Sequence, residues 1–371
     1  MAWPFSTAEL TAGLRRYFAE PTLQVTGLAQ QDLSAALHSS RGSVRGLCVT
    51  YTAGALTATV DCVVKEPAGD MRPGLANAGV REAGIYRSLS IQLPMPTPAL
   101  IAADPGGTWL VIEAVEAQAG LGPWTADEYL QALALMARLH ERFWGLADDL
   151  GAYPWLARPL TLDYEIHVYA AAQALGEIVR QEWPPLVAHS LQTLGTLGQI
   201  ISKAEQVVEP LRAMPFTLLH GDFWAGNIVR DDDDDLVVLD WQLAGLGPGV
   251  LDLVVFLQTS QWQPRARAEP GVFPAPPELP LLPSKLVSRY RREIARLMGL
   301  RWSDAEWSEL WDHALLWRFL QEMLPWLATV SREEFLAREQ LFADVWLGPV
   351  LSAADRRLGT FMLPPGSSDA I

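Results

Sequence analysis

Hydrophobic positions along the chain change their period twice. Over residues 7–18 they recur at helical spacing, with Leu10, Leu14 and Phe18 on one face. Short apolar runs follow at 23–28, 47–51 and 56–65, the length of strands and bounded by polar stretches. Helical spacing returns over 76–89, and two further strand-like runs, 99–102 and 109–113, flank the turn Asp104-Pro105-Gly106-Gly107. From Thr125 onward the helical period dominates. Thr125-Ala126-Asp127-Glu128 forms a capping box, and the helix it opens carries Leu130, Leu133, Ala137 and His140 along one side. Residues 160–178, 185–211, 285–298, 303–326 and 332–357 also read as helices, and only 218–252 breaks the run with β-type segments around an acidic turn. The pattern predicts an α+β protein without internal repeats. A β-rich lobe spans residues 1–116 and a mainly helical lobe spans 117–371.

Composition narrows the class. A hydrophobic share of 50% with 19% charged residues is that of a globular chain. The two cysteines, Cys48 and Cys62, fall on neighbouring predicted strands without metal-ligand spacing. They read as reduced, buried thiols of a cytoplasmic protein, with a disulfide open to them only if the strands set them opposite each other. Met1-Ala2-Trp3-Pro4-Phe5 has no basic segment ahead of an apolar run, so no signal peptide is expected. Later apolar runs are broken before they reach bilayer length, so no membrane partner is expected either. A net charge of −15 with no basic stripe excludes nucleic acid and is compatible with a cationic small molecule.

The stretch that interrupts the helical half reads LLHGDFWAGNIVRDDDDDLVVLDWQLAGLGPGVLD. Asp222 precedes Asn227 by five residues, and Asn227 precedes Asp240 by thirteen. A hairpin with residues 231–235 as its tip brings Asn227 and Asp240 to one end of the ribbon. An amide oxygen and a carboxylate suit Mg²⁺, which takes a few hard oxygen ligands and fills its shell with phosphate and water. A carboxylate at Asp222 can orient and deprotonate an acceptor hydroxyl. The set predicts metal-dependent phosphoryl transfer. The consecutive aspartates of the tip lack the spacing of a calcium loop and read as solvated.

Upstream, strand alternation puts Val63 and Lys65 on one face, where Val63 can touch a nucleotide base while Lys65 reaches its phosphates. Glu82 projects from the apolar face marked by Ile85, Tyr86 and Leu89, where a carboxylate needs a counter-ion. Lys65 is the natural one, and Arg81 or water the alternative. Gly42 and Gly46 lie in a polar stretch between two strand runs. That stretch reads either as a loop offering backbone N–H groups to phosphates or as an ordinary hairpin connection.

His220-Gly221-Asp222 with Asn227, followed by Asp240-Trp241-Gln242, resembles the catalytic and metal-binding segments of the aminoglycoside phosphotransferase and choline kinase superfamily. These are small-molecule relatives of the protein kinases, and Gln242 adds some likeness to the ecdysteroid-kinase-like branch. The resemblance covers most of the chain to about residue 258. It implies a bilobal protein-kinase-like fold in which the strand lysine, Lys65, pairs with the helix glutamate, Glu82. It implies ATP, with GTP as the other donor, together with Mg²⁺, and a small-molecule hydroxyl as acceptor. The hinge whose backbone meets adenine falls at Glu113, Ala114 and Val115. By the same resemblance Asp252 braces the catalytic loop, beside its own reading as the cap of a helix starting at 253.

C-terminal helices of such families form the acceptor pocket, which singles out Trp311, Asp312 and His313. Trp224 is read as a wall for the acceptor, His220 as a brace of the loop, and His140 as a hydrogen-bonded core residue. The Pro-rich stretch 262–283 reads as a long loop, functional or mobile, with a lid as one possible role. The tail from 363 reads as frayed. Asp252 follows Asp240 by twelve residues, too few for the peptide-docking segment of a protein kinase, which disfavours that activity. A catalytically silent nucleotide-binding pseudokinase or scaffold is the alternative from another class. The acceptor stays open: an aminoglycoside or choline suits an acidic cleft, whereas 15 tryptophans suit a sugar, macrolide or steroid-like alcohol. Oligomeric state is not legible.

Overall fold

The structure is a computed structural model that describes residues 2–31, 42–67, 76–115, 124–231, 233, 235–262 and 279–361. Helix α1 (Thr7–Tyr17) starts where the Ser6 hydroxyl accepts from the Glu9 amide and the Glu9 carboxylate accepts from the Ser6 amide, and it buries Leu10 and Leu14. It packs on a five-stranded antiparallel sheet. The strands are β1 (Gln24–Gln31), β2 (Gly42–Ala53), β3 (Leu56–Pro67), β4 (Leu100–Ala103) and β5 (Leu110–Glu113), in spatial order β1-β2-β3-β5-β4. Helix α2 (Ala78–Gly84) follows β3 and continues as a wider turn over Ile85–Leu89.

Alternation along β3 decides which residues meet which core. Cys62 and Val64 pack with Leu47, Val49 and α1, while Val63 joins Ile85 and Leu110 in the main core. The same alternation separates the cysteines. Cys62 stands opposite Leu47 and Cys48 opposite Asp61, so the thiols lie on different faces of the sheet and both are free. Burial pushes the Cys62 thiol up to about 12.

The glycines of the expected phosphate loop are placed differently. Gly42 and Gly46 lie within β2, paired with Pro67 and Val63, because the register continues unbroken through Ser43, Val44 and Arg45. Cross-strand pairing over the whole length of β3 outweighs the turn preference of two isolated glycines. Residues 39–41 of that stretch lie outside the described residues, as do 116–120 with the expected lobe boundary, Asp232 and Asp234 of the acidic tip, 263–278 of the Pro-rich stretch and the tail from 363.

The second lobe is mainly helical. Its first half contains α3 (Ala126–Arg142), α4 (Ala147–Leu150), α5 (Tyr164–Gln181), α6 (Pro185–Ala188), α7 (Leu191–Ser202) and α8 (Ala204–Arg212). The single helix expected over 185–211 is three, since Ser190 caps α7 and the backbone turns at Lys203. The second half contains α9 (Val250–Trp262), α10 (Pro283–Met298), α11 (Asp304–Arg318), α12 (Leu324–Leu327), α13 (Arg332–Leu336), α14 (Glu339–Phe342) and α15 (Gly348–Leu358). A capping box at Thr125 starts α3 as the sequence predicts, and another at Ser303 starts α11. Every residue of α9 from Val250 to Ser260 is buried, so this part of the helix has no solvent-facing side. The fold is α+β, a sheet-rich N-terminal region joined to a helical C-terminal one. No helix among the described residues is long and apolar enough to cross a membrane.

His167 on α5 is 3% exposed, and its ring finds no hydrogen-bond partner among the described residues. Burial lowers its pKa from 6.5 to about 4, against the Asp163 carboxylate and with the Arg318 and Arg81 cations. Between those two values the unfolded chain binds the proton and the folded one does not. Stability should therefore fall by up to about 3 kcal/mol as pH drops from about 6.5 to about 4. His167→Phe should flatten that part of the acid limb in thermal unfolding.

Candidate active site

Two small antiparallel ribbons frame the site: β6 (Thr217–Leu219) pairs with β9 (Gly245–Gly247), and β7 (Ile228–Arg230) with β8 (Leu236–Val238). The tip between β7 and β8 caps itself, since the Asp231 carboxylate accepts from the amides of Asp233 at 3.1 Å and Asp235 at 2.9 Å. At the other end, the Leu239 amide donates to the Asn227 carbonyl at 2.8 Å, which sets Asn227 and Asp240 side by side.

The loop from β6 to β7 carries Asp222. Gly221 holds φ +86°, and a Cβ there would stand 2.1 Å from the Leu243 carbonyl oxygen, so only glycine fits the turn. Asp252, fully buried in the first turn of α9, accepts from the amides of His220 at 2.8 Å and Gly221 at 2.9 Å. Its carboxylate thus braces the loop, as the resemblance implied, and these contacts take the place of the helix cap also expected of it. His140 Nε2 lies 3.3 Å from it and Arg318 Nη2 3.5 Å, while Tyr290 meets the other His140 nitrogen at 2.7 Å. Burial opposes the charge on Asp252, but the His140 hydrogen bond and the nearby cations outweigh it and hold the carboxyl below the usual range. His220 Nε2 meets the Leu239 carbonyl at 2.8 Å and its Nδ1 accepts from the Asp222 amide at 3.2 Å.

The Asn227 amide nitrogen donates to the Asp222 carbonyl at 2.8 Å and to Asp222 Oδ2 at 3.1 Å, so its own oxygen is the atom left for a cation. Lys65 Nζ lies 2.7 Å from Glu82 Oε1 and 2.6 Å from Asp240 Oδ1. Burial works against the Lys65 ammonium, yet the Asp240 and Glu82 carboxylates prevail and raise its pKa. Tyr86 donates to Glu82 Oε1 at 3.0 Å, and Gln242 donates to Asp240 Oδ2 at 3.2 Å. Among the described residues no group of three or more His, Cys, Asp or Glu could cage a metal. An adjacent carboxylate and amide oxygen instead fit Mg²⁺, which takes its remaining ligands from phosphate and water.

Other predicted residues are arranged as follows. The amides of Glu113 and Ala114 donate to the carbonyls of Ala99 and Asp61, so both N–H groups are committed within the first lobe. Val115 packs on Val229, Val237 and Leu239 of the second. Trp224 is partly exposed and lies across Gly226. The C-terminal trio instead joins helices: Asp312 is ion-paired with Arg356 at 2.6 Å and Arg357 at 2.8 Å, and His313 Nδ1 meets the Val207 carbonyl at 3.0 Å. Trp311 packs on the main core. These contacts fasten α11 to α8 and α15.

Arg81 is a residue that side-chain patterns do not reveal. It turns away from Glu82 and donates to the carbonyls of Gln242 at 2.6 Å, Ala76 at 3.0 Å and Trp155 at 3.1 Å. It is 5% exposed, and burial lowers its pKa to about 10. Because these three partners are main-chain oxygens, only its place beside Glu82 hinted at a role. Arg81 ties α2 to the turn bearing Asp240. Arg81→Met should raise the KM for nucleotide about tenfold, read by initial rates against nucleotide concentration.

A sequence model described as the phosphotransferase enzyme family (APH) matches residues 57–272, which contain Lys65, Glu82, Asp222, Asn227, Asp240 and Asp252. No curated protein matches the chain. A solved structure described as a candidate aminoglycoside phosphotransferase from Ralstonia eutropha is 14% identical with a TM-score of 0.53, covering 93% of this chain and 98% of its own. The streptomycin–ATP–APH(2")-IIa ternary complex is 12% identical with a TM-score of 0.49, covering 94% of this chain and 99% of its own. A thermostable mutant of aminoglycoside phosphotransferase APH(4)-Ia, in apo form, is 14% identical with a TM-score of 0.49, covering 94% and 100%. At such identity the first of these shares its fold with this chain and nothing finer. The family match is of another kind, since it takes in more than half of the sequence, and the chain belongs to the phosphotransferase enzyme family.

Proposed function

We propose that the protein transfers the γ-phosphoryl group of ATP to a hydroxyl of a small molecule. The observation that carries this reading is Lys65 held between Glu82 and Asp240, with Asn227 beside Asp240 and bonded to Asp222. Glu82 keeps the Lys65 ammonium in place against the α and β phosphates. Asp222 orients the acceptor hydroxyl and takes its proton as the oxygen attacks. Asn227 and Asp240 would hold Mg²⁺, which supplies neutralisation of the charge spread over the β and γ phosphate oxygens. Rate gain comes from alignment and electrostatics, because the transfer needs little covalent chemistry from the protein.

Lys65 also contacts Asp240 directly, which places the ammonium beside the carboxylate that would hold the metal. A cytoplasmic location, where ATP is supplied, belongs to the same reading, and Trp224 remains the proposed wall for the acceptor. The test is nucleotide consumption with Mg²⁺ against pooled hydroxylated compounds. Turnover confined to one pool supports the kinase and begins to name its acceptor. ATP binding with silence in every pool would favour the pseudokinase.

A further inference from the structure

Beside the catalytic loop lies a cavity of about 250 Å³. None of Lys65, Glu82, Asp222, Asn227 and Asp240 lines it, yet three of its lining residues are close to them in sequence. Gly221 precedes Asp222, Leu243 follows Asp240 by three positions, and Arg81 precedes Glu82. The outer wall is the segment around Trp155, whose indole lies against Gly84 of α2. That segment is anchored to β9, because the Leu246 amide donates to the Ala157 carbonyl at 2.8 Å. Residues of α5 and of the end of α11 close the rest.

The chemistry of the lining is specific. Among the described residues, two arginines, Arg81 and Arg318, face two carboxylates, Asp163 and Glu322, so no net charge attracts an ion of either sign. Arg318 Nη1 already lies 2.7 Å from Glu322, and Arg81 already donates to main-chain carbonyls. Most of the remaining wall is carbon, including Leu156, Ile166, Leu219 and Pro325. Besides the side-chain amides of Asn77 and Gln321, which also line the cavity, two polar groups are left for a guest. His167 lines the cavity, is nine-tenths buried or more, and its ring bonds nothing described. Asp163, four residues earlier on the same helix face, uses one carboxylate oxygen for the Arg158 amide at 2.6 Å and keeps the other.

We infer that this cavity is an effector site for a compact uncharged molecule, an alicyclic or aromatic body whose single hydroxyl or amide bonds His167 and Asp163. Its occupancy is felt at the Lys65, Glu82 and Asp240 cluster through Arg81, which is at once a wall of the cavity and the tie between α2 and the Gln242 carbonyl. The coupling rests on the nucleotide site proposed above, whereas binding in the cavity does not, since none of the residues that would perform the transfer lines it.

Cyclohexanol, cyclohexanecarboxylate and cyclohexylammonium share a body and differ in charge. Their binding to the full chain is read by ligand-observed NMR, with and without AMP-PNP and Mg²⁺. Cyclohexanol should bind at least tenfold more tightly than either ion. Ile166→Trp, which closes the mouth, and His167→Phe, which removes the polar anchor, should each abolish that binding. Intermolecular NOEs from the cyclohexyl protons to the Ile166 and Leu243 methyl groups place the probe without any variant. Cyclohexanol and AMP-PNP should change each other's affinity by one common factor, about fivefold or more. Preference for an ion, NOEs to other residues, mutual exclusion with AMP-PNP, or a nucleotide affinity indifferent to cyclohexanol would each overturn the inference.

Discussion

Asp222→Asn should abolish turnover and leave nucleotide binding intact. The substitution keeps the shape of the side chain, and Asn227 still finds the carbonyl of residue 222 at 2.8 Å as an acceptor, so the loop retains its course. What disappears is the proposed base. General-base catalysis contributes about a hundredfold to ten-thousandfold, and loss of rate in that range is the expected result. In the proposed mechanism nucleotide affinity rests instead on Lys65, which is held by Glu82 and Asp240 and not by Asp222. Single-turnover rates together with a nucleotide titration separate the two quantities. Undiminished turnover in the variant would sink the assignment of Asp222, and a parallel loss of nucleotide affinity would recast it as a structural residue.

The second large effect is on stability. Asp252→Ala should cost about 3–5 kcal/mol, seen as a lower denaturant midpoint. The cost arises from what remains after the carboxylate is gone. The amides of His220 and Gly221 lose their acceptor inside the protein, and Arg318, 3% exposed, keeps a buried charge whose neighbour at 3.5 Å has vanished. Asp252→Asn should recover part of the loss, because an amide oxygen can still accept one of the two N–H bonds. A wild-type midpoint in Asp252→Ala would mean that the loop is held by other contacts.

Part of this arrangement was legible in the sequence, and the reason is physical. Asp222, Asn227 and Asp240 sit close together along the chain, joined by a hairpin whose acidic tip and flanking apolar runs leave little freedom of register. Lys65 and Glu82 were legible because strand and helix periods each fixed a face, and a buried charge on one face demands a partner on the other. The helices beyond residue 125 announced themselves through capping boxes and apolar stripes. Legibility failed where partners lie far apart and are not side chains. Arg81 bonds main-chain oxygens, and the Glu113 and Ala114 amides are taken by sheet neighbours that the sequence does not mark. The trio at 311–313 misled for a related reason. Aromatic and charged residues at helical spacing suit a pocket or an interhelical joint equally, and Arg356 and Arg357, some forty positions on, decide for the joint. Gly42 and Gly46 failed because composition speaks of local freedom, while the strand opposite determines the backbone.

The enclosed helix α9 sets a limit on motion. A segment with no solvent-facing side cannot open by itself, so its amide protons exchange only when the lobe as a whole comes apart. Asp252 extends that condition to the loop bearing Asp222, since two of the loop's N–H groups end on a carboxylate rooted in that helix. The catalytic loop therefore belongs to the slowest-exchanging part of the molecule, and adaptation to different guests falls to side chains and to the peripheral segments that pack against it.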